Sequence, residues 1–399
     1  MKKKLVSVLL CVSMVAAMTA GCGKKENETE KPTEKTTETE SATVKENENE
    51  TTKSGEGLKI AIVSSPSGVD DGSFNQNNYE GILSFIESHP DATVQAVKEE
   101  TGDVAAALQA VADIVADYDV IVCCGFQFAG IGSLAQDNPD VKFILVDSNP
   151  TDAEGAEVEL ENVYAMTFAE QESGFFAGIA AALETDTNKV AVVNGIAYPS
   201  NVNYQYGFES GVNYANAKLG TDVEIVELPS YAGTDVTSTD VGGNYVGSFA
   251  DEATGKIVGS TLISEGVDIM FVAAGGSGNG VFTAAKEAEN VQVIGCDVDQ
   301  YDDGANGDMN IILTSVLKVM DANVEKQLNA IVEGTFAGQN ALLKADTDST
   351  GYVKEEGRHQ LSEDTLAKLD EVYPLVKDGT IVPAANFNGY TPEDFPGLN

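Results

Sequence analysis

The chain reads as an α/β protein made of two doubly wound, mostly parallel sheets. Three observations predict this. Short β-branched runs ending in turn residues alternate with helix-length amphipathic stretches, which is the pattern of strand-helix-strand units. The runs are continuously apolar, as in Ile60-Ala61-Ile62-Val63 and Val190-Ala191-Val192-Val193, so helices should cover both faces of each sheet. At 399 residues, 42% of them hydrophobic, the chain is longer than one core normally holds, and two lobes are expected.

The first 57 residues precede this pattern. Lys2, Lys3 and Lys4 lead into an apolar run from Leu5 to about Ala20, shorter than the ~20 residues a spanning helix needs. Residues 1–21 therefore read as a secretory leader. It closes on Thr19-Ala20-Gly21-Cys22, which resembles the lipobox of bacterial lipoproteins, with Thr19 in place of the usual leucine. That resemblance implies a lipidated Cys22 as the mature N-terminus, held on the extracytoplasmic face of the cell membrane; the alternatives are an ordinary leader cut near Ala20 or an uncleaved anchor. Two or three acyl chains, at ~0.8 kcal/mol per buried CH₂, make a stable anchor. From residue 24 to 57 the chain is almost entirely Lys, Glu, Thr, Asn and Ser with no apolar period, so residues 22–57 form a disordered tether spanning on the order of 30 Å.

Beyond the tether, strands are predicted at 59–64, 120–124, 142–147, 189–193, 223–228, 268–273 and 291–295. In open α/β sheets ligands sit outside the carboxyl ends of the strands, so the turns after these strands are where function belongs. The first turn runs from Ser64 to Gln76. Ser73 with Gln76 three residues on has the spacing of a capping box, and Asp70 and Asp71 suit the positive end of the following helix. Phe74 and Asn75 then fall in its first turn, facing the cleft.

Charge and composition exclude several functions. Sixty-four Asp+Glu against 23 Lys+Arg leave −41, and the leader and tether nearly cancel, so the body from Leu58 onward keeps −40. Nucleic acid, anionic lipid surfaces and anionic small ligands are disfavoured partners. Of five cysteines, Cys123, Cys124 and Cys296 fall in the body, and they form neither a disulfide scaffold nor a metal site. Cys123 and Cys124 lie in a predicted buried strand and read as core. His89 and His359 are the only histidines, one beside a helix-ending proline and one in the polar C-terminal region, so no Ser/His/Asp or Cys/His set assembles. The 275–280 loop lacks the Lys-Ser/Thr of a P-loop and the glycine spacing of a dinucleotide fingerprint. The chain is not expected to be an enzyme, and no cofactor is called for.

The segment Gly68-Val69-Asp70-Asp71-Gly72-Ser73-Phe74-Asn75-Gln76, with Glu80-Gly81, resembles the signature of the basic membrane protein family, the purine-nucleoside-receptor type of substrate-binding lipoproteins. Further matches follow in order: Gly125-Phe126; Phe168, Glu172 and Phe175-Phe176-Ala177-Gly178; Pro199, Tyr204 and Gly207-Phe208; Gly247-Ser248-Phe249 and Asp251; the stretch from Ala273 to Phe282; Ile294-Gly295-Cys296-Asp297-Val298-Asp299-Gln300; and Thr314-Ser315-Val316-Leu317-Lys318. Together they span nearly all of 58–399.

The resemblance implies a periplasmic-binding-protein type I fold, two lobes joined by three crossovers and closing on a ligand. Crossovers are placed near 163–168, near 311–315 and shortly after Gly334. This gives lobe 1 as 58–165, lobe 2 as 166–312, a return to lobe 1 at 313–336, and a C-terminal segment, 337–399, mainly in lobe 2. It further implies an extracytoplasmic binding protein that delivers a nucleoside, or in some relatives a flavin, to an ABC permease. A surface sensor or adhesin that kept the fold is the other reading. By the same resemblance Phe74 stacks on a base, Tyr204 faces it from the opposite lobe, Asp297 accepts two sugar hydroxyls, Lys318 donates to the sugar, and Gly275 and Gly276 let backbone approach the ligand. Phe126 belongs to the same expected site. The family often has Asp nine residues before the aromatic and another after the Gly-Phe of the third strand. Here Ser65 stands at the first position and Gln127-Phe128-Ala129-Gly130 at the second, so Ser65, Gln127 or Asn75 would have to supply neutral hydrogen bonds.

Overall fold

The structure, a computed structural model, describes residues 57–399. The leader, Cys22 and nearly all of the tether lie outside these residues.

Two six-stranded sheets form the frame. The first runs in the order Gln339–Leu343, Val163–Phe168, Lys142–Val146, Val120–Cys124, Lys59–Ser64, Thr93–Lys98, with every pair parallel. The second runs Thr350–Tyr352, Ile312–Lys318, Gln292–Gly295, Ile269–Ala273, Lys189–Asn194, Glu224–Ile225, parallel except for the edge strand Thr350–Tyr352. The central strands are buried on both faces, as their continuous apolar runs require: every residue of Val120–Cys124 and Ile269–Ala273 is buried. Two structural differences concern strands. The run predicted at 223–228 pairs only at Glu224–Ile225, because it is an edge, and Thr93–Lys98, an edge strand with no fully buried residue, has none of the apolar continuity that marks the others.

The second lobe's helices Glu170–Glu184 and Pro199–Tyr214 touch backbone to backbone. A Cβ at Gly178 would stand 2.1 Å from the Phe208 carbonyl oxygen, and one at Gly211 would stand 2.2 Å from that of Phe175. Glycine is required there by close approach. Phe175, Phe176 and Phe208 are fully buried beside them, so these motif residues serve packing.

The chain crosses between lobes three times: after Phe168, after Lys318, and after Leu343. The boundaries drawn from the sequence need correction. Ile312–Lys318 belongs wholly to the second sheet, because it pairs with Gln292–Gly295 and Thr350–Tyr352. Gln339–Leu343 belongs to the first, where it pairs along its length with Val163–Phe168. Between them, helix Asp321–Val332 lies against helix Phe74–Ser88 so closely that a Cβ at Gly81 would be 2.3 Å from the Asp321 carbonyl oxygen.

Candidate functional site

The carboxyl ends of both sheets face a shared cavity that opens in part to solvent. Ser65, Phe74, Asn75, Phe126, Gln127, Tyr204, Gly275, Asp297 and Lys318 all line it, drawn from turns far apart in sequence. Gly276 does not; a Cβ there would meet the Phe249 carbonyl oxygen at 3.1 Å and Ser67 Oγ at 3.6 Å, so its role is to let two turns pass. Among the described residues no cluster of His, Cys, Asp and Glu fits a metal ion.

The first turn is organised by Asp71 rather than by a capping box. Asp71 accepts the backbone N–H groups of Ser73, Asn75 and Gln76 at 3.0–3.1 Å and the Asn75 side-chain amide at 2.8 Å. Gln76 reaches back to the N–H of Gly72, not of Ser73. Ser73 makes no cap bond, because its hydroxyl is drawn across to the other lobe, donating to Asp297 Oδ2 at 3.0 Å. Burial pushes the Asp71 carboxyl above its ordinary value, and the hydrogen bonds from Gln76, Asn75 and Ser73 oppose that shift. Asn75 also donates to Ser65 Oγ at 2.9 Å. Gln127 Nε2 donates to the Cys124 carbonyl oxygen at 3.0 Å, which pins its side chain against the wall.

Lys318, the last residue of its strand, is 1% exposed. Its ammonium lies 2.5 Å from Asp147 Oδ1 and 3.1 Å from Glu170 Oε1, and 5.1–5.8 Å from the ring centres of Phe74, Phe168 and Tyr204. Burial would lower its pKa, but the charges of Asp147, Glu170 and Asp297 hold it above the ordinary lysine value. Burial in turn raises the Asp147 carboxyl, opposed by Lys318. The sequence marks Asp147 only as a strand end, with no role in the site.

Asp297 receives the Tyr204 hydroxyl on Oδ1 at 2.8 Å and Ser73 on Oδ2. Asp147 and Asp297 both adopt left-handed backbone, at φ 64° and 70°, one and two residues past the ends of their strands. That sparsely used conformation costs roughly 1–3 kcal/mol for a non-glycine residue, and it occurs here at two residues whose carboxylates line the cavity. Tyr204, expected as the opposing stacking ring, is 3% exposed and packs edge-on to Phe271. It forms the cavity floor. The second lobe's partly exposed aromatics on the wall are instead Tyr198 and Phe249. Phe126 of the first lobe sits 5.2 Å from Tyr198, whose ring is 5.9 Å from Phe249. Phe249 stands within one of the family-like motifs, and Tyr198 lies in the turn between the strand Lys189–Asn194 and the helix-opening proline, which were the available signals. The thiols of Cys124 and Cys296 line the same cavity, and burial pushes both above the ordinary thiol value, keeping them protonated.

Comparison with known proteins bears on the family and the fold. Residues 58–238 and 231–384 match the Bmp family, described as ABC transporter substrate-binding protein PnrA-like. The chain is 31% identical over 347 residues to the CD4+ T-cell-stimulating antigen of Listeria monocytogenes, covering 82% of this chain and 88% of that one. It is 30% identical over 302 residues to the ABC transporter nucleoside-binding protein BmpA of Lactococcus lactis, covering 70% and 77%. An ABC transporter solute-binding protein from Aeropyrum pernix superposes with a TM-score of 0.69 at 23% identity, over 83% of this chain and 94% of that one, which shows a shared fold. Two lobes closing on a cavity, with the family match across both, identify the chain as a member of the Bmp family of ABC transporter substrate-binding proteins, a binding component and not an enzyme.

Proposed function

We propose that this protein captures a nucleoside-like ligand between its lobes and delivers it to an ABC permease, while a lipid on Cys22 tethers it to the extracytoplasmic face of the cell membrane. One observation carries the ligand reading. The cavity is walled by partly exposed aromatics from both lobes, Phe74 and Phe126 on one side and Tyr198 and Phe249 on the other, with Asp297 among the residues that line it. Flat rings stack on such walls, at ~1–3 kcal/mol per base on aromatic platforms, and a carboxylate accepts hydroxyl protons from a sugar. The nucleoside-binding name of the Lactococcus relative supports the same class. The anchor reading rests on the leader and on Thr19-Ala20-Gly21-Cys22.

A thermal-shift panel of nucleosides, nucleotides, riboflavin and simple sugars tests the ligand. A ligand at 100 times its dissociation constant adds ~2.7 kcal/mol, which is a clear shift. Shifts with nucleosides and none with nucleotides or sugars are expected. A shift with riboflavin alone would move the assignment to a flavin, and a shift only with nucleotides or sugars would overturn it.

A further inference from the structure

The charges around the cavity do not balance. Asp71, Asp147 and Asp297 line it, and Lys318 is the one cationic side chain among the described residues that does. That lysine is spent, since Asp147 and Glu170 both hold it at ion-pair distance. Asp297 is left with two neutral hydroxyls, from Tyr204 and Ser73, as hydrogen-bond partners, together with the weak Cys296 thiol contact at 3.6 Å. Among the described residues Lys318 is thus the one ammonium facing Asp147, Glu170 and Asp297 together, and the acids outnumber it, so the site has unmet demand for positive charge.

Two further features bear on the ligand, the first on its charge and the second on a hydrogen-bond donor it carries. Phe126, Tyr198 and Phe249 form a tilted run of rings across both lobes, with successive planes at 44° and 46°, and among the described residues no side-chain cation lies over any of them. The cations over aromatic faces near the site all trace to Lys318, on Phe74, Phe168 and Tyr204. Aromatic faces left open in a carboxylate-rich pocket attract a cation by their quadrupole, most strongly where water is excluded. Asn75, 2% exposed and part of the cavity wall, gives both amide hydrogens away, to Ser65 Oγ and Asp71 Oδ2. Its orientation is thereby fixed, and its Oδ1 is buried with no donor among the described residues. A ligand bearing an N–H would satisfy it.

Building on the nucleoside-like reading, on which this depends, we propose that the ring taken by the cavity carries a positive charge, as a pyridinium or N-alkylated nucleobase riboside does. The Phe126-Tyr198-Phe249 run receives the charged ring, Asp297 and its neighbours supply the balancing field, and Asn75 Oδ1 accepts a ring-substituent N–H.

The test is isothermal titration of the folded protein with matched pairs differing in ring charge: nicotinamide riboside against its neutral 1,4-dihydro form, 1-methyladenosine against adenosine, and 7-methylguanosine against guanosine. The cationic member should bind about tenfold or more tightly in each pair, and the ratio should shrink in Phe249→Ala. Equal or tighter binding of the neutral members overturns the charge assignment and leaves the nucleoside reading standing. Absence of binding by either member of every pair overturns the nucleoside reading and this inference with it.

Discussion

Lys318 and Asp147 come from different lobes and meet in the interior, with Nζ 2.5 Å from Oδ1 and 2.6 Å from Oδ2 and both side chains almost wholly excluded from solvent. Lys318 ends the strand from which the chain crosses back to the first lobe, and Asp147 follows a central strand of that lobe. Glu170, two residues beyond the first crossing, holds the same ammonium. One lysine thus ties two crossings and both lobes at the cavity floor. Such a pair adds little net stability over an apolar replacement of both partners, but removing one partner leaves buried charge uncompensated.

Lys318→Met should therefore destabilise the protein by roughly 3–5 kcal/mol at neutral pH. Burial already raises the Asp147 carboxyl above its unfolded value and Lys318 opposes that shift, so without the cation it would be raised further. A raised carboxyl contributes stability at low pH that is lost as pH rises through its folded value. The deficit of the variant should accordingly be smaller at pH 5 than at pH 7.5 in urea unfolding. A deficit that is constant with pH would mean that the ammonium is not what offsets the burial of the Asp147 carboxyl.

Glu209 offers a second pH test away from the cavity. Burial pushes its carboxyl up to about 8, against the opposing hydrogen bond from Gln205 Nε2 at 2.8 Å and reinforced by Glu227 and Glu393. Gln205 in turn accepts the Tyr245 hydroxyl at 2.6 Å, and Glu227 accepts the Gly243 N–H. Since the folded value lies above the unfolded one, stability should be greatest below about pH 4.5 as far as this group decides, and decline as pH rises through about 8. Glu209→Gln keeps the amide network and removes the titration. Its melting temperature should match or exceed wild type at pH 8.5 by about 2–4 °C per kcal/mol gained, with the advantage vanishing at pH 5. An advantage at pH 5 as large as at pH 8.5 would exclude Glu209 as the titrating group.

Phe74→Ala and Phe249→Ala should each weaken ligand binding by about 1–3 kcal/mol, roughly 5–150-fold. Phe249 is partly exposed on the cavity wall, so its loss should leave the unliganded melting temperature nearly unchanged. Phe74 also packs on the first lobe's core and should cost some stability besides. Tyr204→Phe keeps the ring and removes only the bond to Asp297, so a loss nearer ~1 kcal/mol is expected. If Tyr204→Phe were the most damaging of the three, the floor and not the wall would dominate recognition.

The α/β layers were readable because the central strands are buried on both faces and therefore write continuous apolar runs, as at Val120–Cys124. Strand edges write nothing so clear: Thr93–Lys98 and Gln339–Leu343 have partly exposed residues, and Gln339–Leu343 is assigned to its lobe only by pairing with Val163–Phe168. The cavity's residue list was largely legible from strand-end turns and motif resemblance. What those residues do there was less so. Ser73 looked like a helix cap because its spacing to Gln76 fits one, yet its hydroxyl is used across the cleft, a choice only tertiary contact can make. Tyr204 and Phe249 are both aromatics in motifs, and nothing local says that one is floor and the other wall.

The lobes also touch at the cavity rim. Ser67 Oγ donates to the Phe249 carbonyl oxygen at 2.8 Å, and Gln300 Nε2 donates to that of Gly72 at 3.1 Å. On the proposed capture between hinged lobes, these bonds form only in the closed state and favour closure before any ligand contributes. A two-state jaw has an apparent affinity scaled by the fraction already competent to bind. Ser67→Ala removes one rim bond while leaving the aromatic wall in place, and a net hydrogen bond is worth about 0.5–1.5 kcal/mol. The variant should bind its ligand about 2–10-fold more weakly, and small-angle scattering of the unliganded protein should show a larger radius of gyration that returns to the wild-type value on saturation. Unchanged affinity together with an unchanged radius would show that the Ser67 bond forms without biasing the jaw, leaving closure to the other contacts between lobes, Gln300–Gly72, Ser73–Asp297 and the buried Lys318–Asp147 pair.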